Sequence, residues 1–142
     1  MIDTSRSWIR TALGFAVTYA VIGVATVAAS RAAGGAGMQT AVRIIRAMSW
    51  LLSAVLYLLH LIIENRSRPR ATVAAWHTSA AVAMATLLLA LVATARQLDA
   101  GNGRPAVFVA IAAWPILTGL VSWVVGVVLS GVLGAASRPT KG

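Results

Sequence analysis

Long apolar stretches alternate along this chain with short polar ones rich in arginine, and four of the apolar stretches set its architecture. They cover residues 8–29, 44–63, 71–95 and 105–133. A helix that crosses bilayer hydrocarbon needs about 20 predominantly apolar residues, with a range of roughly 17–25. Each run meets that length, and none holds an acidic residue in its interior. The pattern predicts an all-α integral membrane protein: a single domain over 1–142, a four-transmembrane-helix up-down bundle with short loops, and a short polar tail over 134–142.

The gaps supply the connections. "SRAAGGAGMQTAVR" (30–43) reads as a flexible Gly/Ala-rich loop, and "ENRSRPR" (64–70) as a tight hairpin with Pro69 placed to start the third helix. "RQLDAGNGRP" (96–105) carries an Asn-Gly turn signal and a second proline at a helix start. Short connections make sequential helices antiparallel. The first run follows Arg6 and Arg10 and ends in small residues, as a secretory signal does. It exceeds the roughly 7–15 residues of a signal's apolar region, however, and is read as a retained helix.

Composition points the same way. Of 142 residues, 59% are hydrophobic and 11% charged, and the mean hydropathy is +0.84. Soluble domains carry about 25% charged residues. A net charge of +9 raises the question of nucleic acid, but the basic residues fall in small groups between apolar runs: Arg6 with Arg10, Arg43 with Arg46, and Arg66, Arg68 and Arg70. That is the distribution of membrane-edge anchors on anionic lipid, not the basic face of a nucleic-acid binder. Arg66, Arg68 and Arg70 are the predicted headgroup anchors. With no cysteine, disulfides and thiolate metal sites are ruled out. Arginine in preference to lysine, with abundant Ala and Val, fits a GC-rich genome and hence a bacterial inner (cell) membrane.

An even number of crossings places both termini and the 64–70 hairpin on one side. That side carries Arg6, Arg10, Arg66, Arg68, Arg70, Arg138 and Lys141, against Arg31, Arg43, Arg46, Arg96 and Arg104 on the other. The positive-inside rule then favours cytoplasmic termini. Trp8, Trp50, Trp76 and Tyr57 read as interfacial belt residues, Trp114 and Trp123 as deeper ones, and Pro115 as a bend in the fourth helix.

Helix association in lipid relies on close packing of small residues. The fourth run provides Ser122, Gly126, Ser130 and Gly134 at four-residue spacing, and the third a weaker row at Ala71, Ala75, Ser79 and Ala83. This helix-packing interface has two uses: packing of neighbouring helices within the chain, or contact with another membrane subunit or a second copy.

The candidate chemistry centres on two histidines. His60 lies four residues before Glu64, on the same helix face. On the next helix, His77 sits eight residues after Pro69. At 1.5 Å per residue the imidazoles reach similar depths, about 6 Å inside Glu64 and about 9–12 Å from the turn. Such a pair suits a bis-histidine haem b if both rings point inward with space for a porphyrin, or, with Glu64, a two-histidine, one-carboxylate metal site. The plainer reading is two interfacial histidines bonded to Ser, Thr or water. No metal is assigned.

Asp3, Glu64 and Asp99 all fall at run ends, which argues against ion-coupled transport. No serine has an evident histidine partner, so the chain is expected not to be an enzyme. The leading expectation is an accessory or structural subunit packing through small-residue helix faces in a larger or homo-oligomeric assembly. The alternatives are a haem- or quinone-binding anchor of a redox complex using His60 and His77, and an oligomeric channel lined by Thr18, Thr26, Ser53, Thr86 and Thr118.

Overall fold

The computed structural model describes residues 3–33, 38–67, 70–101 and 104–136, except for the side chains of 3–6 and 135–136. Four helices account for nearly all of them: α1 (Asp3–Ala32), α2 (Gln39–Ser67), α3 (Ala71–Asp99) and α4 (Pro105–Ala136). Each is long and apolar enough to cross a membrane. The chain is a multi-pass membrane protein built as a four-helix bundle.

α1 and α2 outrun their apolar stretches at both ends, and α3 and α4 do so at the carboxyl end. At 29–32 residues the helices are about 43–48 Å long. The hydrocarbon is about 30 Å thick and the whole bilayer about 40–45 Å. Helical hydrogen bonding continues into the headgroup layer because polar side chains are welcome there while the backbone still gains its bonds. Residues 134–136, assigned from sequence to the tail, are therefore the last turn of α4. The remaining tail residues, with Pro69 and Arg68, lie outside the described residues.

The ends are shaped by local chemistry. α3 starts after Arg70, whose extended backbone (φ −112°, ψ 119°) turns its carbonyl to accept from the N–H groups of Val73 and Ala74. At the other end Ala100 N–H bonds the Arg96 carbonyl and Gly101 N–H the Leu98 carbonyl. Gly101 takes φ 68°, the left-handed conformation glycine adopts without steric penalty. Pro105 opens α4, where its missing N–H costs nothing, and α4 runs continuously through the buried Pro115.

α3 is the hub, packing most extensively on α4, then on α1 and α2; α1 also packs on α2, and α2 meets α4 only slightly. Alanine makes that central position possible: Ala74, Ala75, Ala81 and Ala85 are all buried. Small side chains let helix backbones approach closely, which is the main source of cohesion in lipid. Gly126 shows how close: a Cβ there would stand 3.0 Å from the Ala75 Cβ and 2.5 Å from the Tyr57 hydroxyl. Bulky aliphatic side chains point outward instead, among them Val21, Leu51, Leu91 and Val121.

Polar bonds tie the helices at a few points. Thr86 and Thr118 hydroxyls pair at 3.0 Å between α3 and α4. The Tyr57 hydroxyl donates to the Ser122 carbonyl, and Asn65 Nδ2 donates to Ser130 Oγ at 3.1 Å, joining α2 to α4. Of the α4 row, Gly126 and Ser130 are buried and Ser122 half-buried, with Gly134 exposed. Over Ser122, Gly126 and Ser130 the small-residue face is an internal seam. Its proposed use as an outer contact is corrected to that extent, because α2 and α3 already occupy it.

Candidate functional site

The sequence brings His60 and Glu64 onto one face of α2, and the antiparallel return of α3 sets His77 opposite them. His77 Nδ1 lies 2.7 Å from Glu64 Oε2. With the carboxylate ionised, Nδ1–H is the donor, and the short distance is that of a charge-assisted bond. His60 Nε2 is 4.0 Å from Glu64 Oε1, too far for a hydrogen bond. The carboxylate thus presents one oxygen towards each imidazole.

α1 closes the cluster. Trp8 and Phe15 lie two turns apart and share an inward stripe with the buried Ala12 and Ala16. The Trp8 ring stacks on His77 with centroids 4.3 Å apart and planes within 3°, and Phe15 stacks on His60 at 4.0 Å and 0°. His60 is 0% exposed, Glu64 4% and His77 7%. Both nitrogens of His60 are buried without a hydrogen-bond partner. Buried polar groups are normally paired, so this ring is the most unusual polar feature of the bundle interior.

This geometry revises two expectations. Glu64, read from sequence as a carboxylate at a run end, is buried between α2 and α3. Trp8, read as a belt residue, is a lid on His77, whereas Trp50 and Trp76 are 72% and 62% exposed as belt or lipid-facing residues are. Trp8 and Phe15 were absent from the candidate site because nothing in the apolar α1 run marks which face turns inward. Their seven-residue spacing is the signal that points to them.

As placed, the histidines do not fit a bis-histidine haem. That group needs open space between two imidazoles, and here the Glu64 carboxylate faces both rings while aromatic lids cover them. Among the described residues no three His, Cys, Asp or Glu side chains are arranged to hold a metal ion. Nor does any Ser or Thr hydroxyl there bond to either imidazole; most bond to a carbonyl one turn back, as Thr78 does to Ala74. Thr18 and Thr26, expected as possible pore-lining groups, bond in the same way to Gly14 and Ile22. Arg66 and Arg70 are exposed at the hairpin end, as headgroup anchors must be, and Arg68 lies outside the described residues.

Comparison with protein-family models, with curated proteins and with solved structures found no match to this chain.

Proposed function

We propose that this chain is a non-catalytic membrane subunit that acts by helix packing, within a larger membrane assembly or with copies of itself. One observation supports the reading above others: His60, Glu64 and His77 face inward and are covered, while bulky apolar side chains dominate the outer helix faces between the polar ends. α4 contributes most to that surface. It is held along one side by α3, and Val109, Ile116, Leu120 and Val124 face outward. On this reading the His60–Glu64–His77 cluster is a pin that fixes α1, α2 and α3 relative to one another, and the polar ends anchor the bundle in anionic lipid of the cell membrane.

The test is the mass of the particle extracted in mild detergent. The proposal expects a protein mass well above the 14.7 kDa of one chain, reduced by Leu120→Arg with Val124→Arg on the outer face of α4. A particle of one chain in detergent, unchanged by those substitutions, argues against it.

A redox anchor is the second reading, supported by the convergence of His60 and His77 and by the unbonded nitrogens of His60. Its ligand is better a quinone, whose carbonyl can accept an N–H from the His60 ring, than a haem. Quinone co-purifying with the protein and lost in His60→Ala supports this alternative; no bound quinone excludes it.

A further inference from the structure

At the opposite end of the bundle, α1 and α2 flank a cleft of about 250 Å³ lined by Thr26, Val27, Ser30, Arg31, Val42 and Arg46. Its chemistry is one-sided. Two guanidinium groups stand at it, and among the described residues neither forms an ion pair; the ion pairs described there join Glu64 to histidine. Asp99, at the same end of the bundle, pairs with neither. The Ser30 hydroxyl is buried and has no hydrogen-bond partner. Thr26 is already engaged, bonding the Ile22 carbonyl at 2.6 Å and lying 2.7 Å from the Ser49 hydroxyl, so Ser30 is the hydroxyl left to serve the cleft.

Depth specifies the ligand further. Arg46 is seven residues into α2 and Thr26 six residues from the end of α1, each about 9–11 Å from its helix terminus. Helices of this length extend beyond a hydrocarbon slab of about 30 Å by roughly 6–9 Å at each end. The cleft therefore sits where acyl chains give way to headgroups. The first turn of α2 has no acidic residue, so its positive end is uncompensated, whereas Arg31 offsets the negative end of α1. The volume lies just below the roughly 300–1,000 Å³ of drug-sized ligand pockets, on the scale of a headgroup.

We propose that the cleft between α1 and α2 is a specific site for a phosphate group, supplied by an anionic phospholipid headgroup, with Arg31 and Arg46 as the charge pair and Ser30 as hydrogen-bond donor. Arginine forks match phosphate oxygens in geometry and charge. This site is separate from the hairpin anchors Arg66, Arg68 and Arg70 and independent of the packing role proposed above.

The protein is reconstituted in vesicles of equal phosphatidylglycerol and phosphatidylcholine, extracted, and examined for retained lipid by native mass spectrometry. The expected result is retention of phosphatidylglycerol in preference to phosphatidylcholine, about tenfold less of it in Arg31→Gln/Arg46→Gln, and a smaller loss in Arg66→Gln/Arg70→Gln, whose exposed side chains enclose no cleft. Equal retention of the two lipids, or wild-type retention in the Arg31/Arg46 variant, overturns the proposal. Displacement by excess inorganic phosphate overturns the lipid assignment in favour of the free anion. Should the double variant fail to fold, Ser30→Ala decides: reduced phosphatidylglycerol retention supports the site, and unchanged retention overturns it.

Discussion

Glu64 and His77, thirteen residues apart across a helix hairpin, are joined by a bond of 2.7 Å from Nδ1 to Oε2. The pair locks the register of α2 against α3 about one to two turns below the hairpin, and Trp8 presses α1 onto the same point. A buried polar pair of this kind contributes little net stability over an apolar substitute, yet removing one partner leaves the other without its bond.

Glu64→Ala is therefore expected to destabilise the bundle by about 3 kcal/mol. Glu64→Gln, which keeps an acceptor for His77, is expected to cost less. Thermal unfolding in one detergent gives the comparison. Equal melting of Glu64→Ala and wild type would show that the pair does not pin the helices.

Gly126 and Gly131 lie on the same helix and predict opposite outcomes for the same substitution. A methyl group at Gly126 would meet Tyr57 and Ala75, whereas Gly131 has open space around it. Gly126→Ala should cost about 1–3 kcal/mol by overpacking. Gly131→Ala should be neutral or gain up to about 1 kcal/mol through helix propensity. Denaturant or thermal titration of both variants checks the seam, and equal effects would contradict it.

The cysteine-free chain allows single-cysteine labelling without background. A cysteine at Ser67 and one at Asp99 terminate opposite ends of the bundle. They are expected to react with a membrane-impermeant maleimide from opposite sides, Ser67→Cys from the cytoplasmic side under the positive-inside rule. Labelling of both from the same side would contradict the crossing of α3.

Hydropathy made the four crossings legible because length and apolarity are what a bilayer selects for, and they survive any uncertainty about which face turns inward. The site was legible only in part. His60, Glu64 and His77 drew attention as rare polar residues beside a hairpin, and their approximate depths followed from helical rise. What failed was the environment of Glu64: the apolar run ends at Ile63, but the helix continues to Ser67 and His77 of α3 packs against the carboxylate. Trp8 and Phe15 were hidden for a related reason. α1 is apolar on most of its circumference, so side-chain type does not separate the face that covers histidines from the face that meets lipid. Ser122, Gly126 and Ser130 were recognised as a packing row, but sequence could not say whether the partner was internal. Tyr57, Asn65 and Ala75 supply the answer.

The four helices are expected to be surrounded by lipid, and alkaline carbonate extraction of cell membranes tests that most directly. The protein is expected to remain wholly in the sedimented membranes and to enter solution only with detergent. Recovery of a folded, monodisperse monomer in detergent-free buffer would contradict it.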